Sequence, residues 1–99
     1  MKIESDTIVF KSYKQNYEPE ERGEKCCTVR VIPDNEWQDV LDFIYAFVTW
    51  QEGAIRIRIT LANDSTCYFE RQITHVQILG EILYSKLLLI CWRHEEEKQ

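Results

Sequence analysis

The sequence is poor in the residues that break structure, with 3 glycines and 2 prolines among 99 positions, and it has no repeat or low-complexity stretch. Chains that stay unfolded lack apolar residues; this one is 44% hydrophobic and 12% aromatic, enough to fill one core. Its length predicts a single domain over 1–99 rather than two. No apolar run approaches the roughly 20 residues that span a bilayer, the longest being Leu87 to Trp92. Met1 to Asp6 is polar and no apolar h-region follows a basic one, so nothing there resembles a signal peptide, and the chain reads as soluble, cytoplasmic and free of membrane partners. Excess positive charge is missing too. A net charge of -5 argues against a protein that grips long duplex DNA through its overall field. It leaves room for a local cationic pocket that takes one nucleotide or a short single strand. Cys26, Cys27, Cys67 and Cys91 form no C-x-x-C pair, and His75 and His94 have no ligand-like spacing. Reduced structural thiols are expected, with no metal and no cofactor. Nothing specifies an oligomeric state.

What is present reads as alternating short elements. Thr7 to Phe10 (TIVF) is β-branched and aromatic, the composition of a strand. Ser12 is placed as an N-cap for a helix starting at Tyr13. Pro19 either restarts that helix near Glu18 or divides the segment into two turns, and Gly23 ends it. Cys27 to Ile32 (CTVRVI) is the second strand. Its pleat puts Cys27, Val29 and Val31 on one face, read as the core face, and leaves Thr28 and Arg30 together on the other. Pro33-Asp34-Asn35 breaks the strand, and Asn35 with Gln38 makes a capping box for a helix. Apolar residues at Trp37, Val40, Leu41, Ile44, Tyr45 and Val48 have helical spacing, and Gly53 closes the segment.

The later half reads as strands. Ala54 to Leu61 (AIRIRITL) alternates strictly, and Asn63-Asp64-Ser65 turns it into a strand from Thr66 to about Leu79. Apolar parity in that strand slips near Arg71 to Ile73, which predicts a β-bulge. Gly80 and Glu81 are read as a turn. Ile82 to Trp92 becomes apolar on both faces, as in a central strand covered on each side, and Arg93 to Gln99 is a charged, fraying tail. The expected architecture is α+β: a small curled, mostly antiparallel sheet or half-open barrel of about five strands with two helices.

The stretch GEKCCTVR places Gly23, Lys25, Thr28 and Arg30 where a turn feeds a strand. An amide hydrolase needs a nucleophile, a base and an oxyanion stabiliser. Thr28 could attack if burial keeps Lys25 neutral, and Arg30 could hold an oxyanion or a phosphate. Lys25 has the opposite pleat parity, but it lies at the turn, where its long stem can swing inward. The plainer reading is a solvated strand face beside an ordinary turn lysine. Arg56 and Arg58 form a second candidate row for a phosphate backbone, against an ordinary ion-paired face with Glu70 as one partner. Tyr13 and Tyr17, four apart, either stack a base or cover the sheet. Trp37, Trp50 and Trp92 read as core or rim, and His75 as a plain strand residue.

At Gly23, Lys25, Thr28 and Arg30 the chain resembles the ASCH family of PUA-like barrels, with its G-x-K-x-x-T/E-x-R turn and strand. ERQITHVQIL (Glu70 to Leu79) is similar to the family's later R-x-I-T-x-V strand, and LLLICW to its closing strand. The family's G-D-x-L element has no counterpart; the nearest string, QDVL, falls in the predicted second helix. The resemblance implies an ASCH/PUA-like fold with a cleft that receives RNA or a modified nucleoside, edged by Lys25, Thr28 and Arg30. One branch of the family deacetylates acetylcytidine with a lysine, a threonine and a distant glutamate. Carried over, the first two are Lys25 and Thr28, with Glu81 or Glu70 available as the third. Hydrolase activity is thus the alternative to a binding module. A protein-interaction factor of the compact acidic type found in mobile elements is a further one.

Overall fold

The computed structural model describes residues 1–49 and 55–94, with backbone alone at 47–49. The expected helix end at Gly53 and strand start at Ala54 lie outside the described residues, as do the packing of Val48 and Trp50 and the tail beyond residue 94.

The chain opens with a hairpin. β1 (Lys2–Glu4) folds back on β2 (Thr7–Ser12) through Ser5, whose φ of 55° is left-handed. With Ile3 as its one apolar residue, β1 carries too little alternation to show in the sequence. α1 (Lys14–Glu21) follows, and here two expectations change. Tyr13, not Ser12, is the N-cap, and no side chain caps the helix, because the Ser12 hydroxyl is engaged with Glu20. Pro19 lies inside a continuous helix rather than dividing it, and having no N–H it leaves the Gln15 carbonyl without its usual helical donor. Gly23 terminates the helix as expected. Its φ is 83°, the Gly23 N–H reaches the Glu20 carbonyl at 3.3 Å, and the Glu24 N–H reaches that of Pro19 at 2.9 Å. These are the two bonds of a Schellman motif.

β3 (Cys27–Pro33) starts where expected, takes in Pro33 opposite Ser85 rather than breaking there, and has the opposite facing. Val29 and Val31 are 50% and 60% exposed, whereas Thr28 and Ile32 are buried. The pleat keeps Thr28, Arg30 and Ile32 on one face, and Ile32, fully buried, takes that face inward. α2 (Asp34–Thr49) starts directly after the strand, so Asn35 lies in its first turn rather than at its cap, and Gln38 donates to Asp42 instead of closing a box. Val40 and Phe43 are its buried residues, Trp37 and Ile44 are half-buried, and Leu41 and Tyr45 face outward.

β4 (Arg56–Leu61) buries Ile57 and Ile59, continuing from the buried Ile55, until a bulge between Thr60 and Leu61 breaks the alternation. Leu61 pairs directly with Asp64, so the turn is Ala62-Asn63 and Asp64 already belongs to β5 (Asp64–Ile82). β5 pairs with β4 along its first half and with β6 (Ser85–Trp92) along its second. A register shift at Ile73/His75 marks the change of partner, close to the bulge that sequence parity indicated. A second shift at Ile78/Gly80 absorbs the expected Gly80-Glu81 turn, and the chain reverses later, at Leu83-Tyr84. β6 is central, but its two faces differ. Leu88, Ile90 and Trp92 are buried, while Leu87, Leu89 and Cys91 on the other face are only partly covered.

The sheet order among the described residues is β1-β2-β4-β5-β6-β3, and β2–β4 is its parallel pair. The fold is α+β, with two helices and a curled half-barrel sheet; β1 supplies the strand beyond the expected five. α1 packs on β4, and α2 on β3 and β6. No described helix is long and apolar enough to cross a membrane.

Candidate functional site

The sheet's curl brings its last strand, β3, toward the end of β2, and Arg30 spans between them. Its Nε donates to Thr28 Oγ1 at 3.0 Å, one terminal nitrogen to the Lys11 carbonyl at 2.7 Å, and the other to Ser12 Oγ at 2.6 Å. Its guanidinium also lies 5.0 Å from the centre of the Phe10 ring. Burial pushes Arg30 below its ordinary pKa, and the charge of Glu20 opposes that shift. A guanidinium stays protonated even so, and its planar fork suits three separate acceptors.

Glu20 comes from α1, on the same helical face as Tyr17, and is fully buried. Ser12 donates to its Oε1 at 3.0 Å, while Oε2 has no hydrogen-bond partner. Taking a carboxylate out of water costs several kcal/mol, by order of magnitude, unless charge and hydrogen bonds compensate. The Ser12 link to Arg30 compensates one oxygen and leaves the other open.

Lys25, Thr28 and Arg30 line one hollow of about 340 Å³, together with Lys11, Ser12, Tyr13, Asn16 and Glu20. The Gly23 turn puts Lys25 there: the Pro19 carbonyl also accepts the Lys25 N–H at 3.2 Å, pinning the backbone beside α1. Lys25 itself is exposed at the rim, and Thr28 is buried. Tyr13 is 66% exposed at the same rim, whereas Tyr17 packs in the core against Phe69 with ring centres 5.3 Å apart. The tyrosine pair is therefore divided between hollow and core. Burial, and then the hydrogen bond it shares with Cys67, push the Tyr17 phenol up.

The other expected residues lie elsewhere. Glu70 accepts from Arg58 at 3.0 Å and pairs with Arg56 at 3.6 Å. Arg58 also meets Glu4 at 3.3 Å and covers Tyr68, and its bond to Glu70 pushes its pKa up. The Arg56/Arg58 row is thus an ion-paired sheet face. Glu81 is exposed and bound to Lys86 at 3.0 Å. Trp92 is core, and Trp37 lies beneath the Lys86 amine. His75 shares a hydrogen bond with Gln77 on the surface. All four cysteines are free thiols, and burial, then Cys27 opposite it, pushes Cys91 up. Among the described residues, no three His, Cys, Asp or Glu side chains gather as metal ligands.

Glu20 is the residue that sequence reasoning missed. Its one signal was the i, i+3 relation to Tyr17, which places a carboxylate on the buried stripe of a short helix. A larger hollow, about 770 Å³, lies between the β1 hairpin and α2. Its apolar floor (Ile3, Phe43, Ile55) is ringed by Asp6, Glu36, Asp39 and Asp42, and it holds none of the expected residues. A ring of carboxylates repels an anionic ligand.

The chain matches no family model, no curated protein and no solved structure. What the site can do follows from its own side chains. A buried acceptor, hydroxyls from Ser12 and Thr28, two rim lysines and an exposed aromatic ring suit a small polar ligand with N–H donors.

Proposed function

We propose that this domain is an ASCH/PUA-like module that binds a nucleoside or RNA segment, with the base in the hollow edged by Lys25, Thr28 and Arg30. The observation that carries the reading is Glu20 Oε2, buried without a partner on a side chain that lines the hollow. A buried acceptor left open costs about 1–3 kcal/mol or more, which a ligand N–H recovers. Nucleobases offer such donors on their Watson–Crick edges, and Tyr13 offers a face for stacking. A hollow of about 340 Å³ suits one base and its sugar, not a duplex. Titration calorimetry with the four nucleosides and short single-stranded RNAs tests this. Binding is expected, and Glu20→Gln should weaken it about tenfold, since one side-chain oxygen becomes an NH₂. Absence of binding to every member of the panel, or an unchanged affinity in Glu20→Gln, removes the reading.

A second reading is favoured by Glu20 itself, because it puts a carboxylate in the same hollow as Lys25 and Thr28. This is an amidohydrolase that removes the acyl group from an acetylcytidine-type nucleoside. This reaction requires Lys25 to take the hydroxyl proton as Thr28 Oγ attacks the amide carbonyl, and to return it to the departing amine as the C–N bond breaks. Water then hydrolyses the threonyl ester. Release of cytidine from acetylcytidine, lost in both Lys25→Ala and Thr28→Ala, is the expected result. Turnover that persists in both variants removes these roles.

A further inference from the structure

The described lysines divide into two groups. Lys2, Lys14 and Lys86 each have a carboxylate partner, at 2.7, 3.8 and 3.0 Å. Lys11 and Lys25 have no ion pair among the described residues, and both line the same hollow. The two also stand on backbone that the site holds in place. The Lys11 carbonyl accepts from Arg30 at 2.7 Å, and the Lys25 N–H donates to the Pro19 carbonyl at 3.2 Å.

We propose that Lys11 and Lys25 form a phosphate clamp at the mouth of the Glu20 hollow, so that the ligand is a phosphorylated nucleotide rather than a free nucleoside. This rests on the nucleobase reading above and narrows it. The clamp does not call on Arg30: three of its five N–H groups already donate to protein oxygens, which fixes its guanidinium between β2 and β3. Lysine suits the outer role, since a flexible ammonium acts as a point charge on a phosphate that can approach from several angles. The site then has two zones: an inner acceptor, Glu20, for base N–H groups, and an outer pair of cations for the anionic group. Two sources carry that chemistry, a free mononucleotide and a nucleotide of an RNA strand.

The test compares a nucleoside, its 5′-monophosphate and a short RNA bearing the same base, by calorimetry on the full chain. Wild type, the double variant Lys11→Gln/Lys25→Gln and Glu20→Gln are measured. The monophosphate should bind at least about tenfold tighter than the nucleoside at low salt, an advantage that shrinks as salt screens the contact. The double variant should abolish this advantage, so that monophosphate and nucleoside bind it alike, whatever the loss of Lys25 does to nucleoside affinity itself. Equal binding of nucleoside and monophosphate to wild type, or an advantage that survives in the double variant, overturns the clamp and leaves the base reading standing. Failure of all three ligands to bind overturns both. An RNA that binds tighter than the monophosphate assigns the phosphate to a strand, and one that binds no tighter assigns it to the free nucleotide; either outcome supports the clamp.

Discussion

Glu20 and Arg30, from α1 and β3, are joined through one hydroxyl: Ser12 donates to Glu20 at 3.0 Å and accepts from Arg30 at 2.6 Å. This link holds the curled sheet's β3 against the end of β2 and gives a buried carboxylate its one donor. Ser12→Ala leaves both charged partners short of a bond and should destabilise the fold by about 1–3 kcal/mol. Arg30→Lys should cost at least as much, since one ammonium cannot reach three acceptors in a guanidinium's fork geometry. Urea unfolding measures both, and a midpoint unchanged in Ser12→Ala would show that the link carries no stability.

The Gly23 turn is doubly constrained. Its φ is 83°, and a Cβ there would lie 2.6 Å from the His94 ring. Gly23→Ala should lose about 1–2 kcal/mol from left-handed backbone alone, and more from the contact. Adding His94→Ala should recover the contact part and leave the backbone part. A double-mutant cycle with no coupling between the two positions would contradict the close approach.

Glu70 and Glu81 should be dispensable to the hollow. Glu70→Gln is expected to lower stability by no more than about 1 kcal/mol, as for ion pairs open to solvent, with ligand affinity unchanged. Glu81→Gln should leave both unaltered. A loss of affinity in either variant, measured by the same calorimetric titration, would place a carboxylate in the site that the geometry puts elsewhere.

Asp64 should leave a mark on acid unfolding. The Thr66 hydroxyl donates to its Oδ1 at 2.6 Å and the Thr66 N–H at 3.0 Å, and these bonds hold the carboxyl below its usual 3.8. A depressed carboxylate contributes stability that is whole above the ordinary value and is lost as pH falls through the lowered one. The stability difference between wild type and Asp64→Asn should therefore be constant near neutrality and shrink below about pH 4. A difference that stayed flat down to full protonation would mean the turn does not depend on that charge.

Much of the architecture was legible in local pattern. The alternation of Ile55, Ile57 and Ile59 marked β4, the parity slip near Ile73 marked the place where β5 changes partner, and Gly23 marked the end of α1. Turns were less legible. Gly80 lies at a bulge within β5, and the reversal comes at Leu83, a non-glycine residue with a φ of 49° that nothing in its composition announces. Lys25, Thr28 and Arg30 were legible as a group, because a turn and a pleat bring neighbouring residues together by short-range geometry.

The amino-acid order alone determined which residues share a face, since helical and strand periods are properties of the backbone. It could not determine which face turns inward. In β3 the more apolar set, Cys27/Val29/Val31, was the expected core face, and packing on β6 and α2 buried Thr28 and Ile32 of the other set instead. Glu20 joined the hollow for the same kind of reason. Its burial requires Ser12 and Arg30 from two other elements, and side chains that meet across a folded sheet leave no periodic trace in the chain.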